Sequence, residues 1–447
     1  MKIRKIRRAF SVTASAIALL ALGGCGGGGG STGVAGSATC DLASQKDWLR
    51  SYMQDWYFWS GMSPNPVPAT YDSLQSYFDA LLFTGASTVP ADRWSYISDS
   101  ASYSQYFEEG KTLGYGIFVN GLELQLPLKV RFIEQRSPAA LQGLARGDVI
   151  LALNGRSSAD LIAANDFAAL NPAKEGDTLT LQIASSAGQR TLTVTAATYA
   201  LTPVPVSTVL TLANGVKAGY LVMKDFITQA EAPLTSAFRD FGTAGATELI
   251  LDLRYNGGGR VSTSNILASL VAGREHDGQL FTRLSYSAKQ SSQNANYMLA
   301  SSLKGFSRVV ILTGERTCSA SELLVNGLKP YVQVVTVGAR TCGKPFGFNP
   351  ATSCTSTVSA VNFEVLNARN EGRYYDGIAA NCEVNETFSD QLGDPAETLT
   401  AAAARYLQTG TCPTVVAAPA AAAKALSVLR RAPTAPEPDH GRGMRAD

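Results

Sequence analysis

Ser319, in "RTCSASELL" (316–324), stands among small residues just ahead of an apolar helical pattern, a setting in which a hydroxyl can serve as a nucleophile. A hydroxyl needs a base. The chain has two histidines, His276 in the charged run "AGREHDGQ" and His440 in an Ala/Pro-rich stretch, and neither suits a buried base. Lys344 does. Its surroundings, "TCGKPFGF" (341–348), are apolar and hold no carboxylate, and burial in such a setting lowers an ammonium from its usual value of about 10.4. A third stretch, "LDLRYNGGG" (251–259), ends an apolar run in three glycines. Such a loop lets backbone N–H groups approach a substrate oxygen, as an oxyanion hole requires. Ser319-Ala-Ser-Glu322 equally reads as a capping box, in which the serine only satisfies a helix N-terminus.

The elements around these residues alternate. "AGYLVM" (218–223), "TELILDL" (247–253), "RVVILT" (308–313) and "VQVVTVG" (332–338) read as strands, the second and third as buried parallel ones. "QAEAPLTSAFRDFG" (229–242) and "SELLVNGLKP" (321–330) read as helices, the latter stopped by Pro330. Strand–helix alternation implies an α/β layer. In such a sheet catalytic groups gather at the carboxyl edge, which is where Ser319, Lys344 and the triple glycine fall.

Upstream, "DLASQKDWLRSYMQDWYFW" (41–59) spaces Trp48, Leu49, Tyr52, Met53, Trp56 and Tyr57 as an amphipathic helix, and "YDSLQSYFDALL" (71–82) as a second. From residue 112, "LGYGIFV", "LELQLPLKVRFI" and "GDVILALNG" read as short strands with glycine turns. "SPAALQGLARGDVILALNG" (137–155) resembles the PDZ domain. That resemblance implies peptide capture by strand addition, with Gly114, Tyr115 and Gly116 supplying amides to a peptide carboxylate; Gly114 and Gly116 equally serve a turn.

Taken together, the PDZ run, "LDLRYNGGG", "SASE" and the later "GK" resemble the carboxyl-terminal processing (tail-specific) proteases, Ser/Lys serine peptidases, over roughly residues 41–410. The resemblance implies that Ser319 is the nucleophile and that Lys344, 25 residues later, is the base. It also implies an oxyanion hole from the Gly258 region and the Ala320 amide. Two departures stand out: "NGGG" replaces the family's frequent "NPGG", and Phe348 stands where a base-orienting glutamine is common. "RYYDGIAANCEVNE" (373–386) resembles the family's substrate-side C-terminal segment, which implies a role there for Tyr374 or Tyr375. The expected fold is mixed α/β. A helical region (40–105) and an inserted PDZ-like domain (106–200) precede a protease core (201–412).

The first 24 residues, with five basic and no acidic side chains ahead of "AFSVTASAIALLAL", read as a secretory signal. "LGGC" resembles the lipobox of bacterial lipoproteins, which implies lipidation at Cys25, a Gly/Ser tether (25–39) and an outer-membrane site facing the periplasm. Without its leader the chain is slightly acidic and has no basic block, which argues against nucleic acid. Six further cysteines suggest disulfides, with Cys318, Cys342 and Cys354 near the site and Cys40 and Cys412 tying the ends together. No CxxC occurs and histidine is scarce, so no metal or cofactor is expected. Residues 413–447 read as an unfolded Ala/Pro-rich tail. The expected activity is that of an envelope serine endopeptidase acting on protein or peptide substrates. The alternative is an idle peptide- or apolar-ligand-binding scaffold; an esterase is disfavoured by the lack of G-x-S-x-G.

Overall fold

The computed structural model describes residues 36–37, 39–123, 125–413 and 444–446. The leader, Cys25, most of the tether, and residues 414–443 with His440 lie outside them. Among the described residues no helix is long and apolar enough to cross a membrane.

The central sheet follows chain order: β1 (Val206–Thr211), β2 (Lys217–Val222), β3 (Glu248–Asp252), β4 (Arg308–Thr313), β5 (Gln333–Gly338) and β6 (Cys382–Glu383). Strands β1 and β2 are antiparallel, and all later neighbours are parallel. Parallel neighbours need crossovers, and helices α1 (Glu231–Ala244), α2 (Val261–Ala272) and α3 (Ala320–Leu328) provide the first three, while short strands connect β5 to β6. These three pack Leu234, Phe238, Leu267, Leu323 and Leu324 into one core. Helix α4 (Thr398–Thr409) covers the opposite face through Leu399, Ala403 and Leu407. Covered on both faces, β3 and β4 are buried from their second residue onward, which explains their unbroken apolar sequence.

The N-terminal region is less separate than its sequence implies. Its helices, Leu42–Trp56 and Leu74–Leu81, are capped by Asp41 and Ser73. They share a core with Phe346, Phe348 and Val361. Trp59 and Trp94 each lie 4.9 Å from the Phe346 ring. This aromatic cluster therefore roofs the strand Phe346–Phe348, which follows Lys344.

The PDZ-like part forms a four-stranded sheet in the order Arg156–Ser157, Val149–Leu153, Thr178–Ser185, Gly188–Thr195, with two further strand pairs beside it. Of "LELQLPLKVRFI" only Val130–Ile133 is a strand, because Gly121–Glu123 turns as a 3-10 helix.

A buried ionic network joins this part to the core. Arg146 donates to Glu386 at 2.6 Å and to the Tyr255 hydroxyl at 2.6 Å. Arg254 makes a two-pronged bond to Glu397, at 2.7 and 2.9 Å, and also reaches Asp252. Tyr255 donates to Glu386. Arg254 and Tyr255 belong to the "LDLRYNGGG" loop, so the network fixes that loop from behind.

Three disulfides brace the fold: Cys40–Cys354, Cys318–Cys342 and Cys382–Cys412. The expected Cys40–Cys412 tie does not form. Cys40 lies beside the turn at Cys354, where Ser37 bonds Ser353, whereas α4 returns Cys412 to the end of β6. Met444–Arg445, inside the stretch expected to stay unfolded, forms a strand beside Phe346–Phe348.

Because Arg254 is fully buried, removing it takes a cation from three carboxylates, Asp252, Glu386 and Glu397. Arg254→Ala is expected to cost about 3–5 kcal/mol in chemical denaturation. Removing Arg308 from its partly exposed pair with Glu248 is expected to cost nearer 1 kcal/mol. Equal losses would contradict this reading.

Candidate active site

The carboxyl ends of β3, β4 and β5 lead respectively to the triple glycine, to Ser319 and to Lys344. Ser319 is fully buried at the N-terminus of α3, with φ 61° and ψ −114°. A non-glycine residue rarely adopts that backbone, which costs about 1–3 kcal/mol and turns the side chain out of the strand–helix junction.

Three groups hold the junction. The Cys318 amide donates to the Asn256 carbonyl at 3.0 Å, and the Ser321 hydroxyl donates to the same oxygen at 3.0 Å. The Thr317 hydroxyl donates to the Leu253 carbonyl at 2.8 Å. The Cys318–Cys342 disulfide ties the serine loop to the lysine loop. Cys318, Glu322 and Cys342 are the one group of metal-ligating residue types clustered among the described residues. The two sulfurs are bonded to each other, so neither offers a thiolate.

Glu322 links the two candidate catalytic residues. Its buried carboxylate accepts from the Ser319 amide at 2.9 Å and from the Lys344 amide at 2.8 Å, both on Oε2. Oε1 accepts from the Gly343 amide at 2.8 Å and the Thr341 hydroxyl at 2.5 Å. Two nitrogens on one oxygen lie less than two hydrogen-bond lengths apart, so the backbones of Ser319 and Lys344 meet there. Burial raises the Glu322 carboxyl above its ordinary value, against these bonds. The sequence pattern showed Glu322 only as a cap. It does accept from the Ser319 amide, but the same carboxylate also binds a loop 22 residues on.

Lys344 is 4% exposed. Burial pulls its ammonium down to about 7, while Asp92 and Glu322 act the other way. The local sequence around Lys344 has no carboxylate, yet the fold brings these two into electrostatic range. Asp92 is itself held by Tyr57, Trp94 and Ser95. The amine lies 4.2 Å from the centre of the Phe348 ring and 5.8 Å from that of Tyr96. Where the resemblance leads one to look for glutamine, an aromatic face therefore packs under the amine.

Gly258 packs against Ser319: with φ 115°, a Cβ there would fall 2.9 Å from Ser319 Cβ and 3.2 Å from the Ala320 nitrogen. Its N–H donates to Asn256 Oδ1 at 2.8 Å. Among the described residues no acceptor takes the Ala320 N–H. Asn256, which sequence reasoning passed over, also donates to the Met223 carbonyl at 3.0 Å and so fixes the glycine loop beside the serine.

Gly114, Tyr115 and Gly116 line a cavity of about 100 Å³ with Leu170, Pro172 and Tyr199. A Cβ at Gly116 would fall 2.0 Å from Ser137 Cβ, so glycine is required there for packing alone. Tyr375 stacks on Phe346 at 5.7 Å. Tyr374 packs against the main core. His276 lies against Tyr331 at 5.1 Å in a surface turn.

The folded state gives up the Lys344 proton near pH 7, the unfolded chain near about 10.4. Between those values the unfolded state binds more protons, so stability rises with pH across the window. Lys344→Met is expected to flatten that rise and to stabilise the fold at pH 7 by about 2–4 kcal/mol. Denaturation curves from pH 6 to 10 measure it; a variant less stable than the parent would show the lysine to be a structural cation.

The chain is similar to known proteins. The chain matches the Peptidase family S41 model over residues 217–378, the Peptidase S41 N-terminal domain over 44–96 and the PDZ domain over 106–184. It is 29% identical over 243 residues to the carboxyl-terminal-processing protease of Picosynechococcus, covering 53% of this chain and 55% of that protein. It is 28% identical over 223 residues to carboxyl-terminal-processing peptidase 1, chloroplastic, of Arabidopsis thaliana, covering 48% and 44%. The match thus spans about half the length of these relatives. A solved structure from Bacteroides fragilis, assigned to the S41 proteases, superposes with a TM-score of 0.65 at 24% identity over 81% of this chain and 97% of that one. The photosystem II D1 C-terminal processing protease gives 0.51 at 18% identity, over 76% and 92%. The chain belongs to peptidase family S41, with the family's N-terminal and PDZ domains as well as its peptidase domain.

Proposed function

We propose that the protein is a serine endopeptidase that cleaves unfolded or C-terminal segments of proteins with Ser319 as nucleophile and Lys344 as general base. The observation that carries this is the shared anchor: a strained serine at a helix N-terminus and a buried lysine lowered to about 7 hang from one carboxylate, Glu322.

In this reading the neutral Lys344 amine takes the Ser319 hydroxyl proton as Oγ attacks the scissile carbonyl. The tetrahedral oxyanion is held by the Ala320 amide, aided by the positive end of α3, and Gly258 allows close approach while its own N–H stays on Asn256 Oδ1. Lys344 then gives its proton to the departing amine, and water, deprotonated by the same lysine, hydrolyses the ester. Phe348 acts as a positioning residue by fixing the amine without donating or accepting a proton. The PDZ domain would capture the substrate beside Gly114, Tyr115 and Gly116. In this reading the enzyme sits in the envelope on a lipid anchor at Cys25, at the outer membrane facing the periplasm, a reading supported by the resemblance of the leader to lipoprotein sequences.

Cleavage of unstructured peptides with apolar C-termini, followed by mass spectrometry, tests the proposal. Ser319→Ala and Lys344→Ala are each expected to lose at least about 10³-fold. The parent rate should climb with pH to a plateau above about 7. Cleavage surviving in Lys344→Ala would name another base. Saturable binding without any cleavage would favour the peptide-binding scaffold.

A further inference from the structure

The strand Met444–Arg445 lies in the candidate active site. The Met444 amide donates to Ser319 Oγ at 2.5 Å. The Arg445 amide donates to the Gly259 carbonyl at 3.0 Å, and the Ala446 amide to the Phe348 carbonyl at 2.9 Å. The segment pairs in parallel with Gly347 and Phe348 on one side and with Arg260 on the other. It thus fills a slot between the strand after Lys344 and the glycine loop, bonded on both edges and touching the nucleophile.

Side chains add to these backbone bonds. Met444 is fully buried and joins the core cluster that includes Val261, Ala320 and Phe363. The Arg445 guanidinium pairs with Glu108 at 2.6 Å and lies 5.5 Å from the centre of the Phe107 ring. The slot therefore has an apolar pocket for one residue and an acidic, aromatic rim for the next.

We propose that this slot is the substrate-binding strand position and that residues 444–446 occupy it as the chain's own substrate mimic. Foreign segments must displace them. Resting on the peptidase reading above, the register identifies the substrate class. The nitrogen at Ser319 Oγ is the Met444 amide, so the bond presented is the one that ends at that nitrogen. Met444 stands on the leaving-group side. A preferred substrate then carries an apolar residue directly after the scissile bond and a basic residue after that. Backbone bonds hold the strand whatever its sequence.

A dye-labelled Gly-Arg-Gly-Met-Arg-Ala peptide tests occupancy without turnover, using full-length chains. Its affinity is measured for Ser319→Ala and for Ser319→Ala/Met444→Asp, both checked for unchanged thermal melting. A tethered competitor acts at roughly millimolar effective concentration, so the double variant is expected to bind at least about 10-fold more tightly. Arg445→Glu in place of Met444→Asp should shift affinity the same way, and adding Glu108→Arg should reverse part of it. Equal affinity in the single and double variants, or no binding to the double variant, overturns the proposal. Turnover of an unstructured protein by Met444→Asp, measured in parallel, should exceed that of the parent several-fold. If both are silent while the affinity difference stands, the hydrolytic reading fails and the occupancy survives.

Discussion

The site depends on a single buried carboxylate. Glu322 gathers the amides of Ser319, Gly343 and Lys344 and the Thr341 hydroxyl onto two oxygens, and in doing so joins the loop after β4 to the loop after β5. A buried carboxylate with no donors would be untenable, so the four donors and the acid stabilise one another. The strain at Ser319 persists because its neighbours are fixed from several sides: Glu322 on its own amide, Asn256 under Cys318 and Ser321, and the disulfide to Cys342. Each of these residues is buried or half-buried. The geometry is therefore set by the interior of the fold and owes little to mobile surface groups.

The second constraint is dryness around Lys344. An amine reaches a value near 7 only if water is kept away, and the N-terminal aromatic cluster does this. Trp59 and Trp94 pack on Phe346, and Trp94 also donates to the Gly343 carbonyl at 3.0 Å. The helical region thus shapes the surroundings of Lys344. Asp92, held in the same region, raises the lysine and limits the shift. Holding an uncharged lysine inside costs stability, and the large cores on both faces of the central sheet offset that cost.

Much of this was legible in the sequence because some residues announce their chemistry. A serine before a helical pattern, a lysine among apolar residues and a glycine triplet at a strand end can each be seen locally, and the apolar strands place all three on one sheet edge. Glu322 was visible only as a cap, because its second loop is brought to it by the fold. Asn256 passed unnoticed beside the glycine triplet, whereas its side chain takes the N–H of Gly258, a residue expected to serve the oxyanion. Cysteine partners are likewise a matter of tertiary proximity: Cys40 pairs with Cys354 and Cys412 with Cys382. Met444 and Arg445 sit in a compositionally biased stretch and form a strand only because an open slot with two unpaired edges receives them.

The central claim is that the fold holds Lys344 ready to accept a proton. Direct titration of its ε-amine by NMR, with lysine labelled at Cε and Nζ and the resonance assigned through Lys344→Met, tests that claim. A midpoint near 7, with the other lysines titrating near about 10.4, is the predicted result. A Lys344 resonance that stays protonated up to about pH 10 would contradict the account, since Lys344 could not then accept a proton near neutral pH.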